Sequence, residues 1–348
     1  MIDKLWGLFT YDMGIDLGTS NTLVYIKGKG IAIREPSVVA RSKKGDNILA
    51  VGAEAKEMLG KTPEEIEAIC PMQDGVIADF DATEAMLNYY IGQVHQSHGI
   101  IPKIPRPKVV IGIPTGVTEV ERRAVQEAAL GAGARKAYLI EEPMAAALGA
   151  DLPIEKPQGQ FLIDIGGGTT EITVISLGGI VIERCLRIAG NELDEAIINF
   201  IRLKHGLIIG QATAEEVKIT IGSAAPFSKE KQFVVRGRSM EKGLPQSLKL
   251  TSSEVREALA QTTHQIISIA SEVIEETPPE LVADILRNGI VMTGGGSLLH
   301  GIDKVVSEAT KMPVWVTDDP LTTVVRGTIK VLDDDKLLKK MQVKEGLK

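Results

Sequence analysis

The chain has 348 residues, with 39 Lys and Arg against 46 Asp and Glu, a net charge of −7 and only two cysteines. That length fits about two domains, and 44% hydrophobic with 24% charged residues is globular composition, which excludes wholesale disorder. The acidic balance argues against a nucleic-acid partner, the cysteine count argues for a reducing cytoplasm over a disulfide framework, and no run reaches the roughly 18 apolar residues of a membrane span. No cleavable signal peptide is expected.

In chain order, the first predicted element is a short amphipathic helix. Ile2, Leu5, Trp6 and Phe9 fall at i, i+3, i+4 and i+7, with Asp3 and Lys4 on the other side. So short a helix is marginal alone, so its apolar face rests either on a membrane interface or on the protein's own surface. Tyr11–Ile26 then reads as strand, tight polar turn, strand, and the pattern returns at Phe161–Ile175. Asp16 and Asp164 head the two turns, one domain's length apart. Each turn leads into β-branched strand sequence, whereas a dinucleotide-binding glycine loop would open a helix. Residues 34–72 read as a small subdomain with a turn at Lys43–Asp46. Capping-box spacings predict helix starts at Asp81 with Glu84, Thr118 with Glu121, Thr213 with Glu216, and Thr251 with Glu254. Lys108–Ile113 and Ala137–Ile140 are continuous apolar runs of the kind buried in a parallel sheet. Alternating strands and helices give an α/β class. A second insertion spans 190–246, turn-rich over 223–232, and the charged tail from Asp333 frays.

Two turns of small residues, each led by an aspartate, suit a nucleotide polyphosphate, because small residues let main-chain N–H groups approach phosphate oxygens. Thr19, Ser20, Asn21 and Thr169 add side-chain donors. Asp16 and Asp164 can hold Mg²⁺ through its waters, since that ion dehydrates reluctantly. A third glycine cluster, Gly294, Gly295, Gly296 and Ser297, succeeds a strand and leads to a helix from Leu298; it either receives a flat ring or ribose or is an ordinary helix start. Glu141 and Glu142 open a Pro143-led helix rich in small residues, a plausible interdomain crossing. They either complement the helix dipole, or one of them orients an attacking water.

Together, Asp16–Thr22, Asp164–Thr170 and Thr293–Ser297 resemble the phosphate-1, phosphate-2 and adenosine motifs of the actin/Hsp70/sugar-kinase ATPase superfamily. Glu142-Pro143 with Ala145–Ala147 resembles its first connecting helix, with the second expected near 320–330. Asp16–Asn21, Glu35–Val39, Pro71–Asp79, Asp194–Asn199, Ile221–Ala224 and Thr277–Leu281 resemble, more closely, the MreB family of bacterial actin-like rod-shape-determining proteins. Ser20 stands where that family usually has Ala, and Gln73 where a basic residue is common.

The resemblance implies an actin-like fold of two similar domains around an ATP site. Residues 1–10 would be a membrane-binding segment and 11–145 domain I, with a small subdomain at about 34–74. Residues 146–322 would be domain II, with a small subdomain at about 190–246, and 323–348 a returning helix and tail. It assigns phosphate contacts to Thr19, Ser20, Asn21, Gly166, Gly167 and Gly168. Ribose and base contacts fall to Glu215, Glu216, Val217 and Lys218, and the adenosine loop to Gly294–Ser297. Glu142 would position the hydrolytic water, with Thr169 nearby, in a slow ATPase. The resemblance further implies paired protofilaments of the chain itself on the inner face of the cytoplasmic membrane, acting with the cell-wall elongation machinery. Ile2, Leu5, Trp6, Phe9, Ile100 and Ile101 would be its membrane contacts. A soluble small-molecule kinase or an Hsp70-like ATPase of the same superfamily is the alternative. No clear substrate-activating aspartate serves the kinase, and a chain this short has no room for a peptide-binding domain.

Overall fold

The first aspartate-led repeat folds as a hairpin of β1 (Met13–Leu17) and β2 (Asn21–Ile26), continued by β3 (Gly30–Pro36). In the computed structural model, residues 10–45, 47–96 and 106–343 are described. Next in the chain are β4 (Val39–Ser42), β5 (Ile48–Val51), α1 (Ala53–Met58), β6 (Ile66–Ile69), β7 (Met72–Gln73), β8 (Val76–Ile77) and α2 (Phe80–Gln96). Beyond them lie β9 (Lys108–Ile113), α3 (Glu119–Gly131), β10 (Lys136–Glu141) and α4 (Glu142–Gly149). The second repeat is the hairpin β11 (Gln160–Ile165) and β12 (Thr170–Ser176), continued by β13 (Gly179–Leu186). Then come α5 (Gly190–His205), β14 (Leu207–Ile208), α6 (Gln211–Ile221), β15 (Gln232–Ser239), β16 (Pro245–Thr251), α7 (Ser252–Glu276) and α8 (Pro279–Asn288). The chain continues with β17 (Ile290–Thr293), α9 (Ile302–Thr310), β18 (Val314–Val316), α10 (Thr323–Asp333) and α11 (Asp335–Met341).

The chain divides into two units, one formed by residues up to Leu152 with those from Thr322 onward, the other by Pro153–Leu321. The first has a five-stranded sheet in the order β10-β9-β1-β2-β3, in which β1, β9 and β10 are parallel and β1–β3 form a meander. The second repeats that plan with β13-β12-β11-β17-β18, where β11, β17 and β18 are parallel. A three-stranded sheet accompanies each, β5-β4-β6 in the first unit and β14-β15-β16 in the second. Each unit has its own apolar core: Ile15, Val24, Val109 and Ile111 with α2 in the first, Ile163, Ile172, Met292 and Leu193 with α7 in the second.

Local chemistry sets the helix starts. Thr118 and Thr251 form the predicted capping boxes with Glu121 and Glu254, each worth about 1 kcal/mol. Two of the predicted caps are corrected. Asp79 rather than Asp81 caps α2, its carboxylate accepting from the Ala82 N–H at 3.0 Å, because the helix begins two residues earlier than an Asp81 cap implies, at Phe80. Gly210 rather than Thr213 precedes α6, which leaves Thr213 inside its first turn. The helix expected from Leu298 is a 3-10 turn over Gly295–Leu298, and the α-helix starts at Ile302. Small residues on α4 do permit close packing, and within the first unit the partner is α10. A Cβ at Gly149 would strike the Thr323 carbonyl, and one at Gly327 the Ala145 carbonyl. Lys330 fixes the crossing, donating to Leu148 O at 2.7 Å and meeting Asp151 at 2.6 Å.

Candidate functional site

In the first unit the chemistry gathers at the carboxyl ends of β1, β9 and β10, where ligands of open α/β sheets tend to lie. Asp16 pairs in register with Gly112 of β9, and the Glu142 stem lies over that same glycine, where an added Cβ would come within 3.2 Å of Glu142 Cγ. The turn between β1 and β2 is held by hydroxyls. Ser37, fully buried, donates to Gly18 O at 2.6 Å and lies 2.8 Å from Thr22 Oγ1, while the Ser37 N–H donates to Ser20 O at 3.0 Å. From the β7–β8 hairpin, the Gly75 N–H donates to Thr19 Oγ1 at 2.9 Å, leaving that hydroxyl its own proton to donate. Ser37 and Gly75 escape assignment from the sequence, although both lie in motifs that carry the family resemblance.

In the second unit the corresponding ends of β11 and β17 bring Asp164, Gly166–Thr169 and Gly294–Ser297 together. Asp164 stands opposite Thr293 in the parallel ladder. Gly294 has φ +79°, and a Cβ there would collide with Asp164 Oδ1 and Ile165 O, so the glycine is required by both space and backbone. The turn closes by the Gly166 N–H donating to Thr169 O at 2.8 Å. Behind it, the Gly190 and Asn191 N–H groups at the start of α5 donate to Gly166 O and Gly167 O at 3.1 and 2.8 Å. These bonds engage the turn's carbonyls. Among the described residues the Gly167 and Gly168 N–H groups donate to nothing, as phosphate-binding donors would.

The Asp164 carboxylate is 7% exposed and has no hydrogen bond or ion pair among the described residues. Burial alone raises its pKa from 3.8 to about 7. A buried carboxyl without a partner, beside free N–H donors, fits a cation that arrives with an anion. No group of three or more His, Cys, Asp and Glu that could hold a metal occurs among the described residues. A single buried carboxylate beside main-chain N–H donors fits the way Mg²⁺ is held, through few carboxylates, waters and phosphate oxygens.

On α6, Glu215 is half-buried and Glu216 exposed, while Val217 is fully buried in the core, so it can offer only its main chain to a ligand. Lys218 Nζ is engaged by Asp194 and Gly190 O. Ile2, Leu5, Trp6, Phe9, Ile100 and Ile101 lie outside the described residues. The chain beside both segments converges on His95: the Tyr11 N–H donates to Nε2 at 3.1 Å, Thr10 Oγ1 lies 3.1 Å from the same atom, and Nδ1–H donates to Ile91 O at 2.6 Å.

Duplicated meander sheets, each with an aspartate-led turn at the carboxyl ends of its parallel strands, define an actin-like α/β protein. A family model described as MreB/Mbl protein matches residues 10–340, and the chain belongs to that family. It is 50% identical over 337 residues to the cell shape-determining protein MreB of Escherichia coli, covering 96% of each chain. Among solved structures it is similar to MreB5 of Spiroplasma citri bound to ADP, with TM-score 0.88, 38% identity and 95% and 98% of the two chains covered. The same protein bound to AMPPNP gives TM-score 0.87 at 38% identity, with 95% and 97% covered. A MamK double helical filament matches with TM-score 0.78 at 25% identity, over 93% of this chain and 99% of that one.

Proposed function

We propose that this chain is a cell-shape-determining cytoskeletal protein that binds ATP with Mg²⁺, polymerises in that state and hydrolyses the nucleotide slowly. The observation that carries the reading is the second turn: a buried, unpartnered Asp164 next to free Gly167 and Gly168 N–H groups. In this reading Thr19, Ser20 and Asn21 supply further phosphate donors. Gly294–Ser297, with Glu215, Glu216 and the Val217 main chain, receive the adenosine. Asp16 and Asp164 order the waters of Mg²⁺, which when bound neutralises phosphate charge. Glu142 accepts a hydrogen bond from a water and aims it at the terminal phosphate, with Thr169 assisting. Alignment is the main requirement of such a step. The nucleotides named with the Spiroplasma relative and the filament named with MamK support both halves of the proposal.

The working place in this reading is the inner face of the cytoplasmic membrane, with paired protofilaments serving cell-wall elongation. The amphipathic pattern of Ile2, Leu5, Trp6 and Phe9 supports it, and so does the attachment of residues 10–11 beside His95, close in sequence to Ile100 and Ile101. No helix among the described residues is long and apolar enough to cross a membrane, so attachment would be interfacial. The test is sedimentation with ATP and Mg²⁺, with and without anionic liposomes. Nucleotide-dependent pelleting, with liposome binding reduced by deletion of residues 1–9, is expected. Soluble turnover without any pellet contradicts the filament reading.

A further inference from the structure

Thr293, the last residue of β17, is fully buried, so its side chain cannot itself touch a ligand received by the Gly294–Ser297 loop that follows. Its hydroxyl instead donates to Pro320 O at 3.1 Å, and the Gly294 N–H donates to the same oxygen at 3.1 Å. A carbonyl has two lone pairs, so both bonds stand together. Pro320 begins the 3-10 turn Pro320–Thr322, where the chain leaves the second unit for the first. The residues before it are tied to β17 as well: the Thr317 N–H donates to Met292 O at 3.0 Å, and Thr317 Oγ1 lies 3.4 Å from Thr293 Oγ1.

The loop after Thr293 is thus gripped on two sides. On one, a Cβ added to Gly294 or Gly296 would strike Ile165, at the head of the phosphate turn. On the other, a Cβ on Gly295 would come within 3.1 Å of Leu321 Cδ2, in the outgoing segment. The first grip is steric and rests on side chains that are missing. The second is made by hydrogen bonds onto Pro320 O, and Thr293 supplies its side-chain donor.

We infer that Thr293 is a positioning residue: by fastening Pro320 to the start of the adenosine loop, it sets that loop for ribose and base and makes residues 317–322 respond to adenosine. This deepens the nucleotide-binding reading above and rests on it. A ligand that orders Gly294–Ser297 restrains the Thr293–Gly294 peptide, and the two donors beside that peptide pass the restraint to Pro320 O. Without the hydroxyl a single N–H holds the carbonyl, and the outgoing segment can open without carrying the loop with it.

The experiment uses the full chain as wild type, Thr293→Val, which keeps the shape and removes the hydroxyl, and Thr293→Ser, which restores the donor. Calorimetry measures adenosine, ATP with Mg²⁺, and tripolyphosphate with Mg²⁺, and amide exchange is followed over 317–322 with and without adenosine. Thr293→Val should weaken adenosine and ATP about fivefold, the scale of one neutral hydrogen bond, and change tripolyphosphate by less than about twofold. Adenosine should slow exchange over 317–322 in the wild type and in Thr293→Ser, and should fail to do so in Thr293→Val. Equal weakening of adenosine and tripolyphosphate would mean a general loosening of the second unit and overturn the inference. Wild-type adenosine binding and protection in Thr293→Val overturn it as well, leaving the hydroxyl a purely structural group. So does a wild type that binds adenosine with no slowing over 317–322, a result that needs no variant to fold. A wild type that binds neither adenosine nor ATP overturns the nucleotide reading itself, and the positioning role with it.

Discussion

The two aspartate-led turns share a sequence pattern and a strand topology, but they are supported in different ways. Side-chain hydroxyls hold the first, with Ser37 on Gly18 O and Thr19 receiving Gly75. Main-chain groups hold the second, with the N-terminus of α5 capping its carbonyls and Lys218 behind that helix. Their aspartates differ too. Asp16 is half-exposed and engaged, whereas Asp164 is buried without a partner among the described residues. A duplicated motif thus keeps what a phosphate requires, small residues after a strand, while each unit has its own means of holding the loop. The second turn carries more of the unspent binding chemistry and should be the more sensitive to mutation.

The strongest break in that comparison is Gly294→Ala, which forces a Cβ into Asp164 Oδ1 and Ile165 O at a left-handed residue. A loss of about 2–4 kcal/mol is expected from overpacking and backbone strain, read as a lowered urea midpoint, together with loss of nucleotide binding. Next is Glu142→Ala, expected to slow single-turnover hydrolysis by ~10²-fold while ATP binding and pelleting persist. Wild-type hydrolysis in that variant would transfer the role to Glu141. On the first turn, Ser37→Ala removes the donor to Gly18 O from a fully buried site. It should cost about 1–3 kcal/mol, measured by denaturation, with a smaller effect on nucleotide affinity than Gly294→Ala.

Stability against pH sharpens the comparison further. Asp164 has a folded-state pKa of about 7 against an ordinary 3.8. The carboxyl therefore costs nothing below the ordinary value, costs progressively more as pH rises toward about 7, and costs a constant amount above it. Asp164→Asn should raise the unfolding midpoint of the ligand-free chain, by more at pH 8 than at pH 5. An equal gain at both would assign the effect to packing instead of ionisation.

Much of the fold is legible in the sequence because it depends on residue identity. Strands Lys108–Ile113 and Ala137–Ile140 carry continuous apolar runs, Gly294 and Gly296 of the third cluster mark places where no Cβ fits, and Thr118 and Thr251 carry their capping partners three residues on. The rest depends on groups that every residue possesses. The Gly75, Gly190 and Asn191 N–H groups hold the turns, and nothing in their side chains announces it. Asp79 and Gly210 displace the expected caps because tertiary packing starts α2 at Phe80 and α6 at Gln211, while the Asp81 and Thr213 spacings satisfy the same pattern by coincidence. Lys218 shows the same limit from the other direction: its charge is visible in the sequence, and its partner is visible only once α5 and α6 are packed together.

Asp164 is central to the proposed function as the carboxylate that joins cation to phosphate. The direct measurement is calorimetry of ATP binding with and without Mg²⁺ on the wild type and on Asp164→Asn, which keeps shape and removes charge. Mg²⁺ should tighten ATP binding in the wild type, and that gain should shrink by about tenfold or more in the variant, the usual range for losing a group that orders a metal's ligands. An Asp164→Asn chain that binds ATP as tightly as the wild type, with the same gain from Mg²⁺, would contradict that role.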